Sequence, residues 1–146
     1  MPEAVTQDLL LLDTHVWIWT VEGVRERLAA TALAEIETAR DGDRLLVSAI
    51  SLWEVATLES RDRIALGQPV GEWISTTLRV SGVRLIQLEA DIAVDSTRLP
   101  GAPHADPADR ILMASARVSG ARLVTCDSRI IRYAGAGHLA VLDARP

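Results

Sequence analysis

At 146 residues, 49% of them hydrophobic, the chain has the length of one domain, taken as 1–146, and apolar content for its own core. Its apolar runs fall well short of the roughly 20 residues that span a bilayer, which argues against a membrane protein. Twenty acids against fifteen bases leave a charge of −5, the wrong sign for a nucleic-acid binder unless bound cations offset some of the acids. All fifteen bases are arginine, and arginine holds phosphate bidentately and stacks on bases, so an RNA-facing surface stays open. The acidic start Met1–Asp8 does not read as a signal peptide, and Cys126, the one cysteine, permits no internal disulfide. Both features suit the reducing cytoplasm.

Leu9–Asp13 is an apolar run ending in an acid, the pattern of a strand buried on both faces. Thr14–Thr20 is predicted helical. Arg25–Arg40 reads as one amphipathic helix, with Leu28, Ala32, Leu33 and Ile36 at helical spacing, stopped by Asp41-Gly42-Asp43. Leu45–Val47 is a second strand. Two helices follow, Ala49–Ser60 with Ile50, Trp53, Ala56 and Thr57 on one side, and Val70–Val80 with Trp73, Ile74 and Leu78 as its apolar set. Arg84–Leu88 is predicted as the third strand and Glu89–Arg98 as a further helix. After a loop over Leu99–Ala105, Asp106 caps and Pro107 opens a helix to Ser119. Arg122–Cys126 is a fourth strand, Ser128–Tyr133 a short helix and Leu139–Leu142 a last edge strand. This alternation predicts a three-layer α/β/α sandwich with a mainly parallel central sheet.

Four acids recur at one place in that pattern. Asp13 and Asp127 follow strands, while Glu54 and Asp109 lie in the first turn of a helix. In a parallel sheet such positions share the edge where ligands bind. Each acid also has a structural use: Asp13 and Asp127 can cap helices, and the pairs Asp106/Asp109 and Ser51/Glu54 have capping spacing. Capping does not explain why carboxylates fill so many positions that Ser or Asn would serve equally well. Crowded carboxylates repel unless a divalent cation offsets them, and oxygen-only ligands suit Mg²⁺ or Mn²⁺. Such ions activate water and stabilise charge in phosphodiester hydrolysis. Thr14, Ser48 and Thr125 adjoin the acids and are candidates to orient them, with capping or ordinary strand composition as the alternative.

Four stretches closely resemble the PIN-domain nucleases and, within them, the VapC-type toxins of bacterial toxin–antitoxin pairs. They are Leu-Leu-Leu-Asp-Thr-His at 10–15, Val-Ser-Ala-Ile-Ser-Leu-Trp-Glu-Val-Ala at 47–56, Asp-Pro-Ala-Asp-Arg-Ile-Leu-Met-Ala at 106–114 and Leu-Val-Thr-Cys-Asp at 123–127. The resemblance implies a PIN-like sheet between helices and a Mg²⁺- or Mn²⁺-dependent endoribonuclease acting on RNA. It also implies a homodimer silenced by a cognate VapB-type antitoxin protein. Asp13, Glu54, Asp109 and Asp127 match the family's acidic quartet, with Asp106 and Arg110 as accessory residues. A housekeeping PIN nuclease or a catalytically idle partner-binding module stays as an alternative. Receiver-type or dehalogenase-like phosphoryl chemistry wants a lysine, which this chain lacks.

Other features carry less. Gly135-Ala136-Gly137-His138-Leu139-Ala140 mimics a dinucleotide fingerprint, but it follows a helix and precedes a strand, the reverse of the required order. His15, His104 and His138 lack metal-ligand spacing, although His15 and His104 fall near the acidic edge. The four tryptophans read as core, with Trp17 or Trp19 a candidate for a dimer or antitoxin surface, since aromatic residues are enriched at interfaces. Cys126 reads as a small buried hydrophobe.

Overall fold

Successive residues of the apolar strands point to opposite sides, so a strand made only of leucine must be covered on both. This is what a computed structural model of the chain shows; it describes residues 8–80, 82–103 and 105–146. The predicted roles of His104 and of the leader before Asp8 lie outside the described residues. Five strands, β1 (Leu9–Leu12), β2 (Leu45–Ser48), β3 (Val83–Ile86), β4 (Ala121–Thr125) and β5 (Val141–Asp143), form one sheet. The order is β3-β2-β1-β4-β5 and every pairing is parallel. The helices are α1 (Thr14–Glu22), α2 (Ala30–Asp41), α3 (Ala49–Ser60), α4 (Val70–Val80), α5 (Ala90–Ser96), α6 (Pro107–Ser119) and α7 (Ser128–Ala134).

Alternation divides the core in two. Leu10, Leu12, Leu45, Val47 and Val124 face Trp17, Ile36, Val55 and Trp73 on one side. Leu11, Leu46 and Leu123 face Leu112, Met113 and Ile130 on the other. The predicted α/β/α sandwich is therefore present, and no described helix is long and apolar enough to cross a membrane.

The departures from sequence have physical causes. The expected helix over 25–40 is broken into a 3₁₀ turn at Arg25–Arg27, extended backbone at Leu28 and Ala29, and then α2. Leu28 is buried in the core, and the Ala29 N–H donates to Ala144 O at 2.9 Å, just beyond β5. These tertiary bonds outweigh a continuous helix. The third strand ends at Ile86, because Gln87 and Leu88 turn out to solvent. The last strand begins at Val141, so Leu139 is buried as a loop residue. On α3 the buried side chains are Ser51 and Val55, and Trp53 is 59% exposed. Trp17 instead packs edge-to-face on Trp73, ring centroids 5.0 Å apart, and offers no surface to a partner.

Candidate active site

Neighbouring parallel strands deliver their C-terminal residues to one edge. The Asp13 N–H donates to Val124 O at 3.0 Å, locking the exit of β1 to that of β4, and Asp127 follows two residues after Thr125. Glu54 comes from α3, which leaves β2 on the other side of β1. Asp109 comes from the first turn of α6, whose cap is Asp106.

Two buried threonines hold these acids. Thr125 donates its hydroxyl to Asp13 Oδ2 at 2.6 Å and accepts the Asp127 N–H at 3.0 Å. Thr14 donates its N–H to Asp13 Oδ1 at 2.7 Å and its hydroxyl to Glu54 Oε1 at 2.5 Å. With its proton committed to Glu54, the Thr14 oxygen accepts from the Ser51 hydroxyl, 2.8 Å away. Two carboxylates, Asp13 and Glu54, and the backbone of Asp127 are thus fixed from behind, where no water reaches the threonines, both essentially fully buried.

The helix starts account for part of the acidic set. Asp106 accepts from the N–H groups of Ala108 and Asp109, and Asp127 from those of Arg129 and Ile130. Ser48, expected beside the acids, accepts from the Ile50 N–H at 3.1 Å and so caps α3. Ser51 and Glu54 consequently lie inside the helix rather than forming a capping pair at its start. Arg110 is half-buried on α6, and its N–H donates to Asp106 O.

Burial and mutual repulsion load the cluster. The Asp109 carboxyl is pushed up to about 7, first by burial and then by Asp13, Asp106, Glu54 and Asp127. Burial also raises Asp13, against the hydrogen bonds from Thr125 and Thr14 and the pull of His15. Glu54 is raised by burial and by Asp13 and Asp106, with the Thr14 bond opposing. A divalent ion would reverse this pressure, since each acid is a hard oxygen donor. Among the described residues no three His, Cys, Asp or Glu side chains form a finished metal cage. An open arrangement suits Mg²⁺ or Mn²⁺, which retain several waters and take few protein ligands.

The five acids line a cleft of about 500 Å³ together with His15, Trp19, Arg27 and Cys126. Cys126 is half-buried rather than buried, and burial followed by Asp13 pushes its thiol up, away from nucleophilic use. A second groove of about 620 Å³ runs between α3 and α6 past Trp53 and Ile111, and touches Glu54 and Asp106. Sequence reasoning took Ser51 only as a capping partner of Glu54, one helical turn on, whereas its hydroxyl supports Thr14. Arg27 was passed over, because a continuous helix over 25–40 hid it.

A model of the PIN domain matches residues 10–136. Ribonuclease VapC22 of Mycobacterium tuberculosis is 38% identical over 122 residues, 83% of this chain and 88% of that protein. The crystal structure of VapBC2 from Rickettsia felis, bound to a DNA fragment from their promoter, superposes with a TM-score of 0.67 at 15% identity. That match covers 93% of this chain and 98% of the other. A toxin–antitoxin complex from Klebsiella pneumoniae gives 0.59 at 22% identity, over 91% and 95% of the two chains. At such identities the structural likeness is one of fold.

Proposed function

The chain belongs to the PIN-domain family, and from that premise we propose that it is a Mg²⁺- or Mn²⁺-dependent endoribonuclease, the toxin of a toxin–antitoxin pair. The observation that carries the reading is the cleft where five carboxylates meet and Asp109 is pushed to about 7. A cluster so costly in its own electrostatics fits a site completed by a cation. The ribonuclease name of a relative 38% identical points the same way.

When bound, a divalent ion supplies positive charge to the phosphodiester oxygens and acidifies water. Asp13, Glu54, Asp109 and Asp127 are the residues that would hold it. Thr125 and Thr14 hold Asp13 and Glu54 at the cleft, and Ser51 supports Thr14 from the core side. Water attacks phosphorus in line with the leaving oxygen, and no covalent protein intermediate forms. Asp106 and Arg110 are accessory, at the mouth of α6. The cognate partner is a VapB-type antitoxin, and the working form is a homodimer; a solved relative of the same fold is a toxin–antitoxin complex.

The test is cleavage of labelled single-stranded RNAs and a total tRNA pool by antitoxin-free protein in Mg²⁺, Mn²⁺ and EDTA, beside Asp13→Ala. Cutting that needs both metal and Asp13 is expected. A folded protein that cuts none of these RNAs in either metal overturns the reading.

A further inference from the structure

The cleft that holds the acids is also lined by Trp19, Arg27 and His15. Gly23, at φ 71, ends α1 and turns the chain back, so that the 3₁₀ turn Arg25–Arg27 returns beside the helix it has just left. Three contacts fix it there. Leu28 is sunk in the core, the Cys126 thiol donates to Arg27 O at 3.8 Å, and the Arg27 guanidinium lies 5.5 Å from the centre of the Trp19 ring. The His15 ring packs on the same indole at 5.7 Å. Among the described residues Arg27 makes no ion pair, although five carboxylates line the same cleft. An exposed guanidinium that lies on an aromatic ring beside so many acids, and pairs with none, is free to receive an outside anion.

We propose that Arg27, seated on Trp19, is a substrate-binding residue that holds one RNA phosphate and stacks one unpaired base beside the cleaved bond. The inference rests on the ribonuclease reading and adds to it where and how the strand is gripped. A lone guanidinium offers N–H donors at its rim for phosphate and a flat face for a base, while its other face is occupied by indole. Only an unstacked base can take that face, so the strand is single at this nucleotide; a duplex keeps its bases stacked on each other. This lining also answers an electrostatic need. An acidic cleft repels RNA, and Arg27 sets a positive charge on its flank where the backbone must pass. Lysine would supply the charge without the plane.

The experiment measures binding of a fluorescent single-stranded RNA to full-length protein carrying Asp13→Ala, so that nothing is cut, at several salt concentrations. In that background Arg27→Ala should weaken binding roughly 5- to 100-fold, the range of one stacked base, and lower the salt slope by about 0.7, the share of one phosphate contact. Arg27→Lys should restore the slope but not the affinity. Trp19→Ala should weaken binding with the slope largely kept; because Trp19 is half-buried, the Arg27 pair decides if that variant is unstable. The same RNA annealed to its complement should bind more weakly to the parent, with the difference shrinking in Arg27→Ala. With Asp13 intact, Arg27→Ala should raise KM and leave kcat within a few-fold. If the parent cuts RNA while Arg27→Ala binds and cuts as the parent does, this inference is overturned and the ribonuclease stands. The inference falls equally if Arg27→Ala loses only the capture of a protein partner. If the parent neither binds nor cuts RNA, both readings fall.

Discussion

The two ends of the sheet treat charge in opposite ways. At the N-terminal end, Arg122 of β4 reaches Glu35 at 3.1 Å and Asp8 at 3.8 Å, and Arg44 donates to the Asp8 carbonyl at 2.8 Å. Acids and bases are interspersed there, and Arg122 faces two acids of the same chain. At the C-terminal end, Asp127 has Arg129 at 3.8 Å, but acid is otherwise crowded on acid, Asp13 and Glu54 are held by the hydroxyls of Thr125 and Thr14, and three carboxyls are pushed above their ordinary range. Charges of opposite sign in reach of one another serve stability; a crowd of acids pushed up by burial and by one another marks a place for something from outside the chain. The first way to break this contrast is Asp13→Ala or Asp127→Ala. Cleavage should fall by at least the roughly 10²–10³-fold that loss of one preorganised charge-stabilising group costs. Circular dichroism should stay that of a folded protein. Retained cleavage in both variants would leave the C-terminal cluster without a chemical role.

The second prediction sharpens the same contrast through pH. Asp109 rises from an ordinary value of 3.8 to about 7 on folding. Between those two values the folded chain keeps a proton that the unfolded chain has lost. Stability therefore falls as pH rises from about 4 through 7 and then levels off. Asp13 and Glu54, raised in the same direction, add to the slope. Metal works against it: an ion at 100 times its Kd adds about 2.7 kcal/mol to the folded state. Melts in EDTA should drop from pH 5 to pH 8, and Mg²⁺ or Mn²⁺ should restore the loss more at pH 8 than at pH 5. Asp109→Asn should melt higher than the parent at pH 8 in EDTA and lose most of its response to metal. A metal-free protein as stable at pH 8 as at pH 5 would show that the cluster carries no such load.

Much of that end was legible because it follows from chain order alone. An acid after an apolar run, or in the first turn of the next helix, emerges at the strand exits of a parallel sheet, so the positions of Asp13, Asp109 and Asp127 are readable before any packing, whereas Glu54 sits beyond the first turn of α3 and still reaches the cleft. The Arg27 part of the cleft lining was not legible. Arg25–Arg40 satisfies a helical repeat by itself, and only the pull of the core on Leu28 and the bond from Ala29 to Ala144 break it. Trp53 misled for a related reason: hydrophobicity placed it inside, whereas α3 turns the small Ser51 inward to meet Thr14. At Ser48 the capping alternative is the one found: a hydroxyl beside the acids in sequence caps its own helix in space.

Thr14 tests whether the acids are positioned or merely gathered. Thr14→Val keeps the shape but removes the hydroxyl that binds Glu54 and receives Ser51. Cleavage should fall roughly 10- to 100-fold, the usual cost of losing a residue that orients a metal ligand. Stability should fall by about 1–3 kcal/mol, since the buried Ser51 hydroxyl loses its acceptor. Thr14→Ser should recover most of both. A Thr14→Val enzyme with unchanged kcat would mean that Glu54 needs no holding.

The smallest effect is expected at the balanced end, and its smallness is the point. Arg122→Ala removes the base that faces Glu35 and Asp8. Both acids are about half exposed, so water replaces the guanidinium on each. Exposed pairs are worth about 0.2–1 kcal/mol, and the loss should stay within that range and shrink further in high salt. Cleavage should not change, because β4 keeps its pairing with β1 and the exits of both strands stay where they were. Glu35→Gln should cost no more, and Arg122→Ala with Glu35→Gln together should cost less than the sum of the two. A large loss of cleavage in Arg122→Ala, with the fold intact, would break the comparison. The two ends would then be coupled through β4, and the N-terminal charges could no longer be read as serving stability alone.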